Sequence, residues 1–391
     1  MDIELWWLLG FALFFGLGWL AARVDIKHLE RESRALPRSY FTGLNFLLNE
    51  QPDKAIDAFV EAVKLDPQTI ELHFALGNLF RRRGETDRAI RMHQRLIERD
   101  DLAGEQRLQA LCALGQDYLK AGLLDRAEEV FLKLMGTALH EEVCRHLVEI
   151  YSQEKEWKKA IDIARNLPDD SQYLQRAQVA NFYCELATLD LAHSRFDEAR
   201  SHLDRALEAN RKSVRAQILL GDLENTLGHT PAAVEAWKRV EQQNPIYVAL
   251  VAQRLMEAFR KLDQVSEGLH LLRAYLEHYP SLDLLDIVFQ SEMEREGPVD
   301  AYRVVRAELA RNPTLLGLDK LLEAQMRVAP PESQSDLELM KNLIHAHTRR
   351  VARYRCEDCG FKARQFHWRC PACGGWETYP PKRSEEFDLA P

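Results

Sequence analysis

From Leu5 to Ala22 the chain runs LWWLLGFALFFGLGWLAA without a charge. At about 1.5 Å of rise per residue, a helix of that length with its flanks crosses a hydrocarbon core of roughly 30 Å. Trp6, Trp7 and Trp19 lie near its two ends, where indoles favour the membrane interface. Beyond this run the apolar positions take up helical spacing, and the pattern recurs. Ala55, Ala89, Ala127, Ala160, Ala199 and Ala233 stand at intervals of 34, 38, 33, 39 and 34 residues. Twelve residues before four of them is a glycine: Gly43, Gly77, Gly115 and Gly221. Phe59, Phe131 and Trp237 come four residues after three of them, and Pro67 and Pro245 close two of the units. Weaker units centre on Gly268 and Ala301 and end at Pro280 and Pro313.

This period resembles the tetratricopeptide repeat, in which paired helices stack into a superhelix whose groove is lined mainly by first helices. The small residues let the helices of a unit approach, the aromatic fills space toward the next unit, and proline ends the second helix. The expected fold class is all-α: a tetratricopeptide-repeat solenoid with an N-terminal transmembrane helix and a small C-terminal metal domain. Some units depart from the pattern, with Val148 and Ala187 at glycine positions and no alanine near Gly268, so the repeats number seven to nine. The segments LDKLLEAQMRVA and SDLELMKNLIHAHTRR, split by Pro330 and Pro331, read as capping helices. The expected division is therefore a transmembrane anchor over 1–22, a basic juxtamembrane linker over 23–35 and repeats over 36–315. Capping helices over 316–350, a metal domain over 351–380 and a tail over 381–391 complete it.

Charge orients the anchor. Asp2 and Glu4 precede the apolar run, unlike the basic start of a cleaved signal peptide, whereas Arg23, Lys27, Arg31, Arg34 and Arg38 follow it. The positive-inside rule then places the bulk of the chain in the cytoplasm on a single-pass anchor. Pairs of small residues, Ala12 with Gly16 and Gly18 with Ala22, offer a face to another membrane helix. The 391 residues carry a net charge of −9, which argues against nucleic acid as a partner.

Four of the seven cysteines form two pairs, Cys356 with Cys359 and Cys370 with Cys373, each pair followed by a glycine. Paired thiols at this spacing make knuckles, and two knuckles make a tetrahedral four-thiolate cage for one metal ion, iron or zinc. A reducing compartment disfavours the alternative of two disulfides. His367 lies between the pairs but is not needed by a centre that four thiolates complete, and His345 and His347 do not aim at one point on a helix. Cys112, Cys144 and Cys184 sit among apolar helical residues and read as buried. Asn78, Arg81 and Arg82, in LGNLFRRRG, fall on a first helix. They read as a solvated basic turn or as a site for a partner's carboxylate. No phosphate loop, nucleophile elbow or HExxH helix is present, so the chain reads as no enzyme.

The order of anchor, repeats and a CxxCG…CPxCG domain like the metal lobe of rubredoxin is itself a signature. With stretches such as NFLLN, NFYCEL, RYRCEDCGF and WRCPACGGW, it resembles the lipopolysaccharide assembly protein B family over essentially the whole chain. That resemblance implies a bacterial inner-membrane adaptor that limits lipopolysaccharide synthesis. Such an adaptor presents the lipid A pathway deacetylase to a membrane-bound AAA+ protease and coordinates lipopolysaccharide assembly proteins. Self-association into a homo-oligomer stays open. The alternative is an iron-binding redox carrier, or an iron or redox sensor, coupled to a protein-binding array.

Overall fold

The computed structural model describes residues 38–49, 51–65, 69–167 and 172–385. The apolar run and basic linker before residue 38 lie outside them. Among the described residues no helix is long and apolar enough to cross a membrane. The chain divides after Gln153 into two compact units.

The first unit holds α1 (Arg38–Leu48), α2 (Pro52–Leu65), α3 (Ile70–Arg83), α4 (Thr86–Ile97), α5 (Gly104–Lys120), α6 (Leu124–Leu134) and most of α7 (His140–Glu154). Its hairpins close on a notch and a ring. A methyl group at Gly43 would stand 3.0 Å from the Phe59 ring, and one at Gly115 only 2.7 Å from Phe131. The aromatic expected to fill space toward the next unit therefore seats first on the glycine of its own hairpin. Phe131 then also stacks on His146 of α7, with centroids 5.0 Å apart. At the aromatic position of the second repeat stands His93, fully buried over Gly77. Its Nδ1 lies 2.5 Å from Asp117 Oδ2, and Arg81 Nη1 donates to Asp117 Oδ1 at 2.9 Å.

The second unit continues with α8 (Trp157–Ala164), α9 (Gln172–Ala192), α10 (Phe196–Ala209), α11 (Val214–Thr226), α12 (Thr230–Gln243), α13 (Val248–Lys261) and α14 (Val265–His278). After these come α15 (Leu282–Arg295), α16 (Pro298–Arg311), α17 (Leu315–Val328) and α18 (Pro331–Val351). Trp237 lies over Gly221 and donates from Nε1 to the Ile218 carbonyl at 3.2 Å. The unit that lacks an alanine has exchanged the two roles: Gly268 on the second helix receives Phe259 from the first. The segments expected as caps, α17 and α18, pack as a further helical hairpin on α16. The Thr314 hydroxyl caps α17 by accepting from the Gly317 amide.

A device that the sequence pattern did not suggest recurs in the turns. Five residues before the alanine position the backbone is left-handed in six of the turns, with Gly at 84, 122 and 228, Lys155 (φ 60°) in a fourth, and two shorter side chains, Ser194 (φ 58°) and Asp263 (φ 58°), in the others. A side chain in that region costs roughly 1 kcal/mol, which glycine avoids. Both side chains are exposed. Replacing Ser194 or Asp263 by Gly should therefore raise stability by about 0.5 kcal/mol each, read as a higher urea midpoint at unchanged helical circular dichroism.

Arg81→Ala should behave differently, because it leaves buried Asp117 without its guanidinium. A loss of about 2–4 kcal/mol in local stability is expected, seen as faster amide exchange in α3–α5, whereas Arg82→Ala should change it by under about 0.5 kcal/mol.

Candidate metal centre

Two knuckles build the site, and they are built alike. In the first, the Cys356 amide donates to the Phe361 carbonyl at 2.9 Å and the Gly360 amide to the Cys356 carbonyl at 3.0 Å. In the second, the Cys370 amide donates to the Gly375 carbonyl at 2.8 Å and the Gly374 amide to the Cys370 carbonyl at 2.9 Å. Gly360 and Gly374 have φ near 73° and 74°, the left-handed turn that the glycine after each pair supplies. A small antiparallel sheet fastens the knuckles to the chain. Its centre is β1 (Ala352–Arg355), which pairs with β2 (Lys362–Ala363) on one side and β3 (Ser384–Glu385) on the other.

The four sulfurs converge. All lie within 4.8 Å of one another, with Cys356 Sγ 3.8 Å from Cys373 Sγ and Cys359 Sγ 3.7 Å from Cys370 Sγ. Metal–sulfur bonds of about 2.3 Å in a tetrahedron put sulfurs about 3.8 Å apart, so the donors fit one four-coordinate ion and are too far apart for disulfides. Among the described residues this is the one cluster of three or more possible ligands. Cys356, Cys359, Cys370 and Cys373 thus form a metal-binding site for a single iron or zinc ion.

The electrostatics suit it. Burial opposes ionisation of Cys356, but the Thr378 hydroxyl and the amides of Cys359 and Asp358 outweigh it and lower the thiol to about 6. At Cys373 a backbone hydrogen bond lowers the pKa, yet burial and the three neighbouring thiols prevail and push it up to about 12. A cation removes that crowding by taking all four as thiolates. The first cysteine of each knuckle is buried and the second exposed. Behind them Tyr379 is fully buried and donates to the Phe361 carbonyl at 2.9 Å. His367 packs edge-on against Tyr379 rather than joining the ligands.

The ribbon is seated on the second unit's own repeats. Trp376 meets Trp157 and Phe182 edge-on, each at 6.0 Å, and Trp368 lies parallel to Tyr247 at 5.4 Å. Asn181 Nδ2 donates to Glu377 Oε1 at 2.7 Å, and the Tyr354 hydroxyl donates to Asp283 Oδ2 at 2.8 Å, with Arg383 also paired to Asp283. Burial and Asp283 together raise the Tyr354 hydroxyl pKa. Arg215 projects between the two tryptophans and pairs with Glu185 at 2.7 Å. Sequence reasoning assigned no role to Asn181, Arg215 or Asp283: Asn181 opens the NFYCEL stretch without any sign of what it contacts, and the other two look like ordinary helix-surface residues.

The remaining expectations divide. Cys112, Cys144 and Cys184 are buried, and burial pushes Cys112 and Cys184 up to about 12. His345 faces Asp319 at 3.3 Å, and the side chain of His347 lies outside the described ones. Of the suggested partner-binding residues, Arg81 is engaged internally with Asp117, the Asn78 side chain and the Ala113 carbonyl, while Arg82 is exposed.

Comparison with known proteins agrees with this anatomy. The rubredoxin metal binding domain matches residues 354–381, and tetratricopeptide repeats match 72–105 and 184–245. The lipopolysaccharide assembly protein B of Escherichia coli strain K12 is 36% identical over 369 residues, 94% of this chain and 95% of that protein. The chain belongs to the lipopolysaccharide assembly protein B family. A second member, from Haemophilus influenzae, is 32% identical over 384 residues, covering 95% of this chain and 96% of its own length.

Replacing Cys370 and Cys373 together by Ser should abolish stoichiometric metal binding, measured by elemental analysis, because two thiolates cannot hold a closed site. Helical circular dichroism should persist, since the repeats take their stability from neighbour packing.

Proposed function

We propose that this protein is a non-catalytic adaptor of the bacterial inner membrane. It is held by residues 1–22 with its bulk in the cytoplasm, and it limits lipopolysaccharide synthesis by presenting the lipid A pathway deacetylase to a membrane-bound AAA+ protease. The observation that carries this reading is the joining of a protein-binding repeat array to a metal ribbon seated on it, in a chain that matches lipopolysaccharide assembly relatives along nearly its whole length. Adaptors work by concentration: two proteins held on one surface meet far more often than in solution, without any new contact. In this reading the repeats bind client and assembly proteins, and the anchor supplies proximity to the protease. Arg82 is the strongest of the three suggested contact residues, because Asn78 and Arg81 also support the fold.

A second reading, as an iron-dependent redox carrier or sensor, draws on the exposure of Cys359 and Cys373. Visible absorption of the purified protein that bleaches and recovers reversibly on reduction and oxidation would favour it over the adaptor.

Deleting residues 1–22 should leave client binding in a pulldown unchanged and lengthen the client's half-life in cells at equal expression. An unrelated membrane helix restores turnover if tethering suffices, and continued failure points to Gly16 and Gly18 in contact with a partner. Unchanged turnover in the truncated strain would refute the membrane-adaptor mechanism.

A further inference from the structure

In a repeat array the first helices usually offer their face to a partner. In the second unit that face is already taken. Successive points along it meet the ribbon: Asn181 and Phe182 on α9, Arg215 on α11, Tyr247 at the entry to α13, and Asp283 on α15. We propose that this face is a latent protein-binding surface, occupied in the metal-loaded protein by the chain's own ribbon. Metal loss frees it for a segment that pairs an aromatic residue with an adjacent carboxylate.

The chemistry of the occupant defines what the face recognises. Trp376 meets edge-on the stacked pair of Trp157 and Phe182, whose centroids lie 5.6 Å apart, and the next residue, Glu377, takes a hydrogen bond from Asn181. Arg215, whose side chain is 8% exposed, lies 5.6 Å from the Trp376 ring and 5.7 Å from the Trp368 ring. Its Nη1 is buried without a hydrogen-bond partner, so the face holds unused donor capacity. Aromatic rings beside a buried guanidinium and an amide donor suit an aromatic–acidic pair through edge contacts, cation–π attraction and a charge-assisted hydrogen bond.

What presents Trp376 and Glu377 is the knuckle fold. Glu377 has a left-handed backbone (φ 56°), held by its amide donating to the Trp368 carbonyl at 2.8 Å. The buried apolar cluster of the ribbon is Tyr354, Cys356, Cys370 and Tyr379, half of it metal ligands. Without the ion that cluster cannot hold the turn, and the docked pair is released. The exposed Cys359 and Cys373 give a chelator direct access. None of this depends on which client the adaptor reading names.

The test uses the full-length protein in detergent, zinc-loaded or stripped by a chelator, and a fluorescent peptide carrying the ribbon's own GGWETY sequence (Gly374 to Tyr379). Anisotropy should show at least about tenfold tighter binding to the stripped protein, and no binding by a peptide with Ala in place of its Trp. Arg215→Ala should abolish capture. Glu377→Lys in the full chain, which weakens docking without removing a ligand, should allow capture while zinc remains bound. Amide exchange supplies the second readout: on stripping, residues 354–379 should lose protection while α9–α15 keep theirs. Equal peptide binding with and without zinc, absence of binding once the ribbon is released, or retained ribbon protection after stripping would each overturn the proposal. So would joint loss of protection in the repeats.

Discussion

Four sulfur atoms converge on a space that fits one metal ion, and the C-terminal part of the molecule depends on that convergence. A segment as short as residues 351–385 cannot bury enough apolar surface to fold unaided. Its own buried cluster is two tyrosines and two cysteines. The knuckle hydrogen bonds, the left-handed glycines and the three short strands all serve to bring thiolates together, and metal ligation replaces the missing core. Because Trp368, Trp376 and Glu377 lie on the turns that the knuckles shape, ligation at the cysteines also sets how the ribbon meets the repeats.

The repeats solve a different packing problem by one recurring means. Two helices approach closely where one lacks a side chain and the other supplies a ring, as at Gly43 with Phe59 and Gly115 with Phe131. The requirement is for a notch and a filler, not for particular residues on particular helices. Gly268 and Phe259 meet it with the helices exchanged, and Gly77 meets it with His93, whose buried imidazole is held through Nδ1 by Asp117. Interiors packed to near-crystalline density tolerate such exchanges when volume is conserved.

Buried charge is placed where it joins elements. Asp117 gathers His93 and Arg81 within the first unit. Within the second, Arg215 with Glu185 joins α11 to α9 beside the ribbon's tryptophans, and half-buried Asp283 with Tyr354 and Arg383 joins ribbon to repeats. Such pairs contribute less to net stability than well-packed apolar groups would, but removing one partner leaves an expensive buried charge. They therefore act mainly as registration points, which suits a small domain that must sit on a long array in one way.

Much was legible in the sequence because it rests on local rules. The period near 34 residues, the small-residue positions and the CxxCG spacing follow from helix geometry and ligand reach, and both need only residues close in the chain. The exchange of notch and ring near Gly268 was visible only as a missing alanine, since its compensation depends on which residue of the neighbouring helix arrives opposite. Arg81 looked like a surface cation until its path to Asp117, 36 residues on, brought it inside. Likewise the seat of the ribbon joins Glu377 to Asn181 across 196 residues, and no spacing rule reaches that far. Sequence by itself determined the elements, their period and the metal ligands, whereas only the tertiary structure decided which face the ribbon occupies, because long-range contacts are chosen by shape and charge after the local elements exist.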